Sequence, residues 1–165
     1  MIHNYIHHLP LAALTFIAFL LVSLVLVPQP AQAATFTVTS GGDSGSGSLR
    51  DAIANANANP DADTIVFDGV STVTLTSDQL EITEDLTIDG GTGVIVERSS
   101  AGGTPEFRIF AISGSETEVT LDNLTLENGA AGGSSGGGIL NDESTLTVQN
   151  STIQNNAAEF FGGGI

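Results

Sequence analysis

The chain has no cysteine, no tryptophan and no lysine, and its basic residues are three arginines, Arg50, Arg98 and Arg108. Without cysteine there is no disulfide, so a small exported domain must be held together by another device. The three histidines, His3, His7 and His8, all lie near the start. Beyond them no His, Cys or Lys remains to activate a serine or to act as a nucleophile, and that class of hydrolase is excluded. Against the three arginines stand 19 acidic residues, a formal net charge of −16. Such a surface repels phosphate backbones and excludes a nucleic-acid partner.

One long apolar run is present, from Leu11 to Val27. Pro28 and Pro30 break it, and Ala31-Gln32-Ala33 follows with small residues at both key positions of an A-x-A cleavage site. This layout predicts a secretory signal peptide over residues 1–33. The first residues carry no Lys or Arg, and the competing assignment is an uncleaved anchor. All the acidic residues and arginines follow Ala33, so the mature chain from Ala34 keeps the full charge.

After the leader, Thr35-Phe36-Thr37-Val38-Thr39 alternates as a strand does. A Gly/Ser loop leads to Ser48-Leu49-Arg50-Asp51, the pattern of a capping box. Leu49, Ala52, Ile53 and Ala56 then fall at i, i+3, i+4 and i+7, one apolar stripe on a short helix that Asn59-Pro60 ends. Residues 34–63 are therefore expected to form a strand-and-helix cap, with the stripe covering the open first coil.

From Thr64 the apolar period becomes two. Val73 and Leu75, Leu80 and Ile82, Leu86 and Ile88, and Val94 and Val96 read as inward pairs, continued by Ile109 to Ile112, Val119 and Leu121, and Leu124 and Leu126. Val119 to Asn128 aligns on Leu146 to Asn155 at a constant offset of 27, and Ala130-Ala131 on Ala157-Ala158. The words Gly136-Gly137-Gly138-Ile139 and Gly162-Gly163-Gly164-Ile165 are 26 apart. A repeat of this length predicts a solenoid, in which one turn cannot bury its own apolar face but a stack of turns can. Stacking would place Val119 over Leu146, Leu121 over Val148 and Leu126 over Ile153. Asn123 over Asn150 and Asn128 over Asn155 are expected at the corners as side-chain ladders.

The unit Ser151 to Ala158 followed by Gly162 to Ile165 resembles the repeat of polymorphic outer membrane proteins and related bacterial parallel β-helix proteins, with Ile153 where that family prefers Phe and Asn156 closing the word. Phe36 to Val38, Gly47-Ser48-Leu49-Arg50-Asp51-Ala52-Ile53 and Asp63 to Phe67 resemble the CSLREA-type segment that opens many secreted β-helix proteins. Gly47 stands at the cysteine place and Asp51 at the glutamate place. The resemblance implies an all-β, right-handed parallel β-helix of the pectate-lyase-like kind, exported to the exterior or outer surface of a bacterium, with coils over 64–165 left open at their C-terminal end. It implies no reaction.

No catalytic, cofactor-binding or metal-binding residue is assigned. A polysaccharide lyase would need Arg98 or Arg108 as its base, but both read as solvated or ion-paired outward residues. Asp122, Glu127 and Asp142 are too few of too many acids to single out as a glycosidase pair. Asp61-Ala62-Asp63 and Asp89-Gly90-Gly91-Thr92-Gly93 supply the oxygen ligands calcium prefers. They also have ordinary turn composition, so weak Ca²⁺ binding is the most they predict. The sequons at Asn123 and Asn150 recur because the repeat recurs. The expected role is a non-catalytic structural, adhesion or passenger module whose partners are an extracellular polysaccharide, a cell-surface partner or a second copy at the open edge. The alternative is the front of a carbohydrate-active β-helix enzyme with its site beyond residue 165. Because Gly162 to Ile165 start a new copy of the repeat word, the sequence is expected to be the N-terminal part of a longer protein.

Overall fold

A computed structural model describes residues 32–165. The expected signal peptide lies outside the described residues except for Gln32 and Ala33. The cap consists of strand β1 (Thr35–Val38) and helix α1 (Leu49–Ala56). Ser48 is the N-cap, and its hydroxyl accepts from the Asp51 amide at 3.2 Å. The Asp51 carboxylate accepts from the Gly47 amide at 3.3 Å, one residue before the N-cap, while the Ser48 amide donates to the Gly45 carbonyl at 3.1 Å, so only half of the expected capping box forms. Leu49, Ala52, Ile53 and Ala56 are all buried, so the stripe read from the sequence is the face that closes the coil. At the far end of α1, Asn57 donates to the Glu81 carbonyl at 2.7 Å and accepts from the Thr83 amide at 3.0 Å.

Parallel strands follow: β2 (Asp63–Phe67), β3 (Thr72–Leu75), β4 (Leu80–Ile82), β5 (Leu86–Arg98), β6 (Phe110–Ser113), β7 (Glu118–Glu127), β8 (Ala130–Ala131), β9 (Ile139–Asp142), β10 (Thr145–Gln149), β11 (Thr152–Gln154) and β12 (Ala157–Ala158). They stack as a parallel β-solenoid of about four turns. One lateral sheet runs β1-β2-β5-β7-β10, and β3 and β11 pair with the later halves of β5 and β7. The β4-β6-β9 sheet and the β8-β12 pair form the remaining walls.

The register puts like over like. Phe36, Ile65, Ile88, Leu121 and Val148 form one inward column, and Val73, Val96, Leu126 and Ile153 another. Every inward pair predicted between Val73 and Leu126 is buried. Each such side chain contributes about 1.5–3 kcal/mol by leaving water. Stacking at about 4.8 Å pairs the backbone while it builds this core, which is how the chain dispenses with disulfides.

The glycine words have a steric cause. Gly137 and Gly138 donate to the carbonyls of Gly162 and Gly163, both at 3.0 Å, so one word lies on the next. A Cβ at Gly138 would meet the Gly164 carbonyl oxygen at 2.6 Å and Asn156 Nδ2 at 2.9 Å. Only glycine lets two backbones approach this closely.

The corner asparagines act differently from the expected amide-on-amide ladder. Asn123, Asn128, Asn150 and Asn155 all have positive φ, between 49° and 63°. Asparagine tolerates this left-handed geometry better than most residues. Two of their amides bond to carboxylates one coil away: Asn150 Nδ2 to Asp122 Oδ1 at 2.8 Å, and Asn128 Nδ2 to Glu97 Oε2 at 3.4 Å. The repeat therefore keeps a backbone angle at all four corners, while the side chains of Asn128 and Asn150 donate to acids of the coil before.

Candidate functional site

The lateral sheet presents ordered polar columns to solvent. Thr35, Thr64, Thr87, Thr120 and Thr147 occupy one register, one per strand from β1 to β10. Beside them Asp89 lies over Asp122, with Gln149 next. On the second half of the sheet Glu97 lies over Glu127, with Gln154 next. Carboxylates in adjacent rungs repel, and donors relieve them. Gln149 Nε2 reaches Asp122 at 2.9 Å, Gln154 Nε2 reaches Glu127 at 2.8 Å, and Thr74 Oγ1 reaches Glu97 at 3.0 Å. Of the acids named at the sequence level, Asp122 and Glu127 lie on the same strand but on either side of the Asn123 corner, and Asp142 lies at the end of β9 on another wall.

The arginines differ from the expected solvated or ion-paired residues. Arg98 is half-buried, and its guanidinium donates to the carbonyls of Asn128 at 2.9 Å, Ser99 at 3.2 Å and Pro105 at 3.3 Å. It also lies 5.9 Å from the ring centre of Phe107. Arg108 is half-buried too and donates to Ser134 Oγ at 2.9 Å. Both arginines tie loops to the solenoid through acceptors that sequence inspection did not link to them: main-chain carbonyls for Arg98 and the Ser134 hydroxyl for Arg108.

Arg50 forms the ion pair seen among the described residues, with Asp43 at 2.7 Å. It also donates to the carbonyls of Asp43, Gln79 and Asp78, at 3.2, 2.7 and 2.6 Å. One side chain thereby joins the helix, the Gly/Ser loop and the turn before β4. Burial raises the Asp43 carboxyl. Hydrogen bonds from Ser77, Arg50 and Thr76, with the Arg50 charge, outweigh burial and hold its pKa below the ordinary value.

The two calcium candidates separate. Asp89 accepts from the Gly91 amide at 2.8 Å, an ordinary Asx turn. Residues 90–93 bulge across from Asn123, because the β5–β7 register shifts between Asp89 and Val94. Asp63 is no turn residue. It opens β2, points inward over Leu86 and is buried. Its parity with Ile65 in the period-two pattern was the available signal. Among the described residues no group of three or more His, Cys, Asp or Glu side chains is placed to hold a metal ion.

Within residues 32–165 the last coil presents an unpaired edge. Leu146, Val148 and Ile153 are half-buried, whereas Val119, Leu121 and Leu126, one coil before, are buried. Phe160 and Phe161 are 62% and 80% exposed in the same coil. Free strand N–H and C=O groups beside apolar side chains make a template for further strand pairing. No protein-family model matches the chain, and the search of characterised proteins likewise gives no match.

Proposed function

We propose that the chain is a non-catalytic structural module of an exported, extracellular or cell-surface β-solenoid, and that it assembles through the edge of its last coil. The observation that carries this reading is the half-burial of Leu146, Val148 and Ile153 beside the exposed Phe160 and Phe161. These side chains stand in register with fully buried ones and gain the same burial when another strand layer is added. The occupant is a further strand layer stacked on the edge; for the stretch Ala34 to Ile165 taken alone it is the corresponding edge of a second copy. The strong negative charge opposes this contact and salt screens the repulsion, so association strengthens as salt is raised.

The test is sedimentation velocity on the chain from Ala34 to Ile165 over a range of concentrations and salt. Reversible dimerisation is expected, strengthened by salt. Val148→Lys puts a charge on the edge and is expected to leave a folded monomer. A parent chain that stays monomeric at every concentration and salt level would refute the edge-assembly reading.

A further inference from the structure

The buried acid at the top of the solenoid has an unusual set of partners. Asp63 is 2% exposed and heads an inward column that continues as Leu86, Val119 and Leu146. Its Oδ1 accepts from the backbone nitrogen of Ala34 at 2.7 Å and from Asn59 Nδ2 at 2.7 Å. Its Oδ2 is buried with no partner. A buried carboxylate with an unserved oxygen is costly unless a charge and further donors meet it. Ala34 is also the first residue the sheet holds, since its carbonyl accepts from the Thr64 amide at 2.9 Å. Ala33, one residue earlier, is exposed and ends the A-x-A sequence.

We infer that Asp63 is the receptor for the processed amino terminus: after cleavage between Ala33 and Ala34, the α-ammonium of Ala34 forms a buried ion pair with this carboxylate. The inference rests on the reading that the chain is exported and its leader removed. Hydrolysis adds one water to the Ala33–Ala34 bond. The leader leaves with a carboxylate on Ala33, and Ala34 gains an amine that takes up a proton at neutral pH. An amide nitrogen offers one hydrogen, already used on Oδ1. An ammonium offers three, so the nitrogen that holds Oδ1 can also serve Oδ2. It supplies the positive charge as well, at a nitrogen that already lies 2.7 Å from Oδ1. Processing thereby completes the cap of the first coil, and the unprocessed chain keeps a buried acid half-served.

The absence of lysine makes the test direct, because the α-amine is the sole amine of the chain from Ala34. That chain is prepared by cutting a fusion so that Ala34 is its first residue. A second preparation retains Gln32 and Ala33. An amine-acylating reagent is expected to label folded Ala34 at least tenfold more slowly than the urea-unfolded chain, and Asp63→Asn to remove most of that protection. The Ala34 chain is also expected to melt at least about 3 °C above the extended chain, a gap that Asp63→Asn closes. Equal labelling of folded and unfolded chains overturns the ion pair, and so does an unchanged melting gap in Asp63→Asn. If Asp63→Asn fails to fold, the labelling of the unmutated chain still decides. Amino-terminal sequencing of the protein exported by a bacterial host tests the underlying reading separately. Ala34 as the first residue supports it, and any other terminus overturns the processing assignment even where the ion pair forms in the prepared chain.

Discussion

Substituting Gly90 by alanine isolates the steric logic of the stack. Gly90 is buried where β5 turns its corner directly beneath Asn123. An added Cβ would strike the Asn123 carbonyl oxygen, lie 2.9 Å from its carbonyl carbon and lie 2.9 Å from Leu124 Cδ2. Leu124 can rotate away, but the Asn123 carbonyl belongs to a backbone with φ of 55° in the middle of the sheet. Relief therefore requires moving β7 away from β5, the most extensively paired strands of the solenoid. Overpacking of this kind costs about 1–3 kcal/mol, and each interstrand hydrogen bond lost adds about 1 kcal/mol. With one such bond lost the total is about 2–4 kcal/mol, which over a chain of this size lowers Tm by roughly 7–14 °C.

The assay is thermal unfolding followed by circular dichroism, with Gly102→Ala as the comparison. Gly102 is exposed, has no heavy atom within 4 Å of its would-be Cβ, and its φ is not in the left-handed region. Its substitution is expected to leave Tm unchanged or slightly raised, because alanine restricts the unfolded chain. A Gly90→Ala variant within about 2 °C of the parent would falsify the close-approach argument. Equal losses at Gly90 and Gly102 would reduce it to a general dislike of alanine in this chain.

Two further outcomes follow from the same geometry. Asn123→Ala should lose about 1 kcal/mol in urea unfolding because alanine resists a φ of 55°, while Asn123→Gly should stay within about 0.5 kcal/mol of the parent; the opposite order would show that the side chain matters more than the angle. Asp43 has a folded pKa below its unfolded value, so its contribution is present above the unfolded pKa of about 3.9 and is lost as pH falls through the folded one. Asp43→Asn should therefore cost about 1 kcal/mol at pH 7, and its gap to the parent should close as the solution is acidified below about pH 4. A gap constant down to the acid limit would rule out the Arg50 pairing as its source.

The reach of the sequence can be judged residue by residue. Leu121 and Val148 were readable as stacked neighbours because a solenoid turns a long-range contact into a fixed offset, and the offset of 27 is written in the chain. The stripe of α1 was readable because helical spacing is local. The corner asparagines were readable as corners with unusual backbone angles, but the expected amide ladder was not what formed, since a recurring Asn does not say where its amide is bonded. Arg98 was misread because its acceptors are main-chain carbonyls, which leave no mark on residue type, and Arg108 because its acceptor, the Ser134 hydroxyl, is brought to it only by the fold.

Asp63 shows the same limit from the other side. In Asp61-Ala62-Asp63 the composition is that of a turn, and the phase of Ile65 places Asp63 inward. An acid at an inward position in a period-two segment contradicts a purely hydrophobic core, and the contradiction disappears only if a donor arrives from outside the repeat. That donor is Ala34, 29 residues earlier, at the boundary that the A-x-A pattern had already marked for a different reason. Two weak signals, a misplaced acid and a cleavage word, become one strong one when the fold brings them within 2.7 Å. Under the proposed pairing, cleavage at any other bond would leave the ammonium away from Asp63 and the acid with only amide donors.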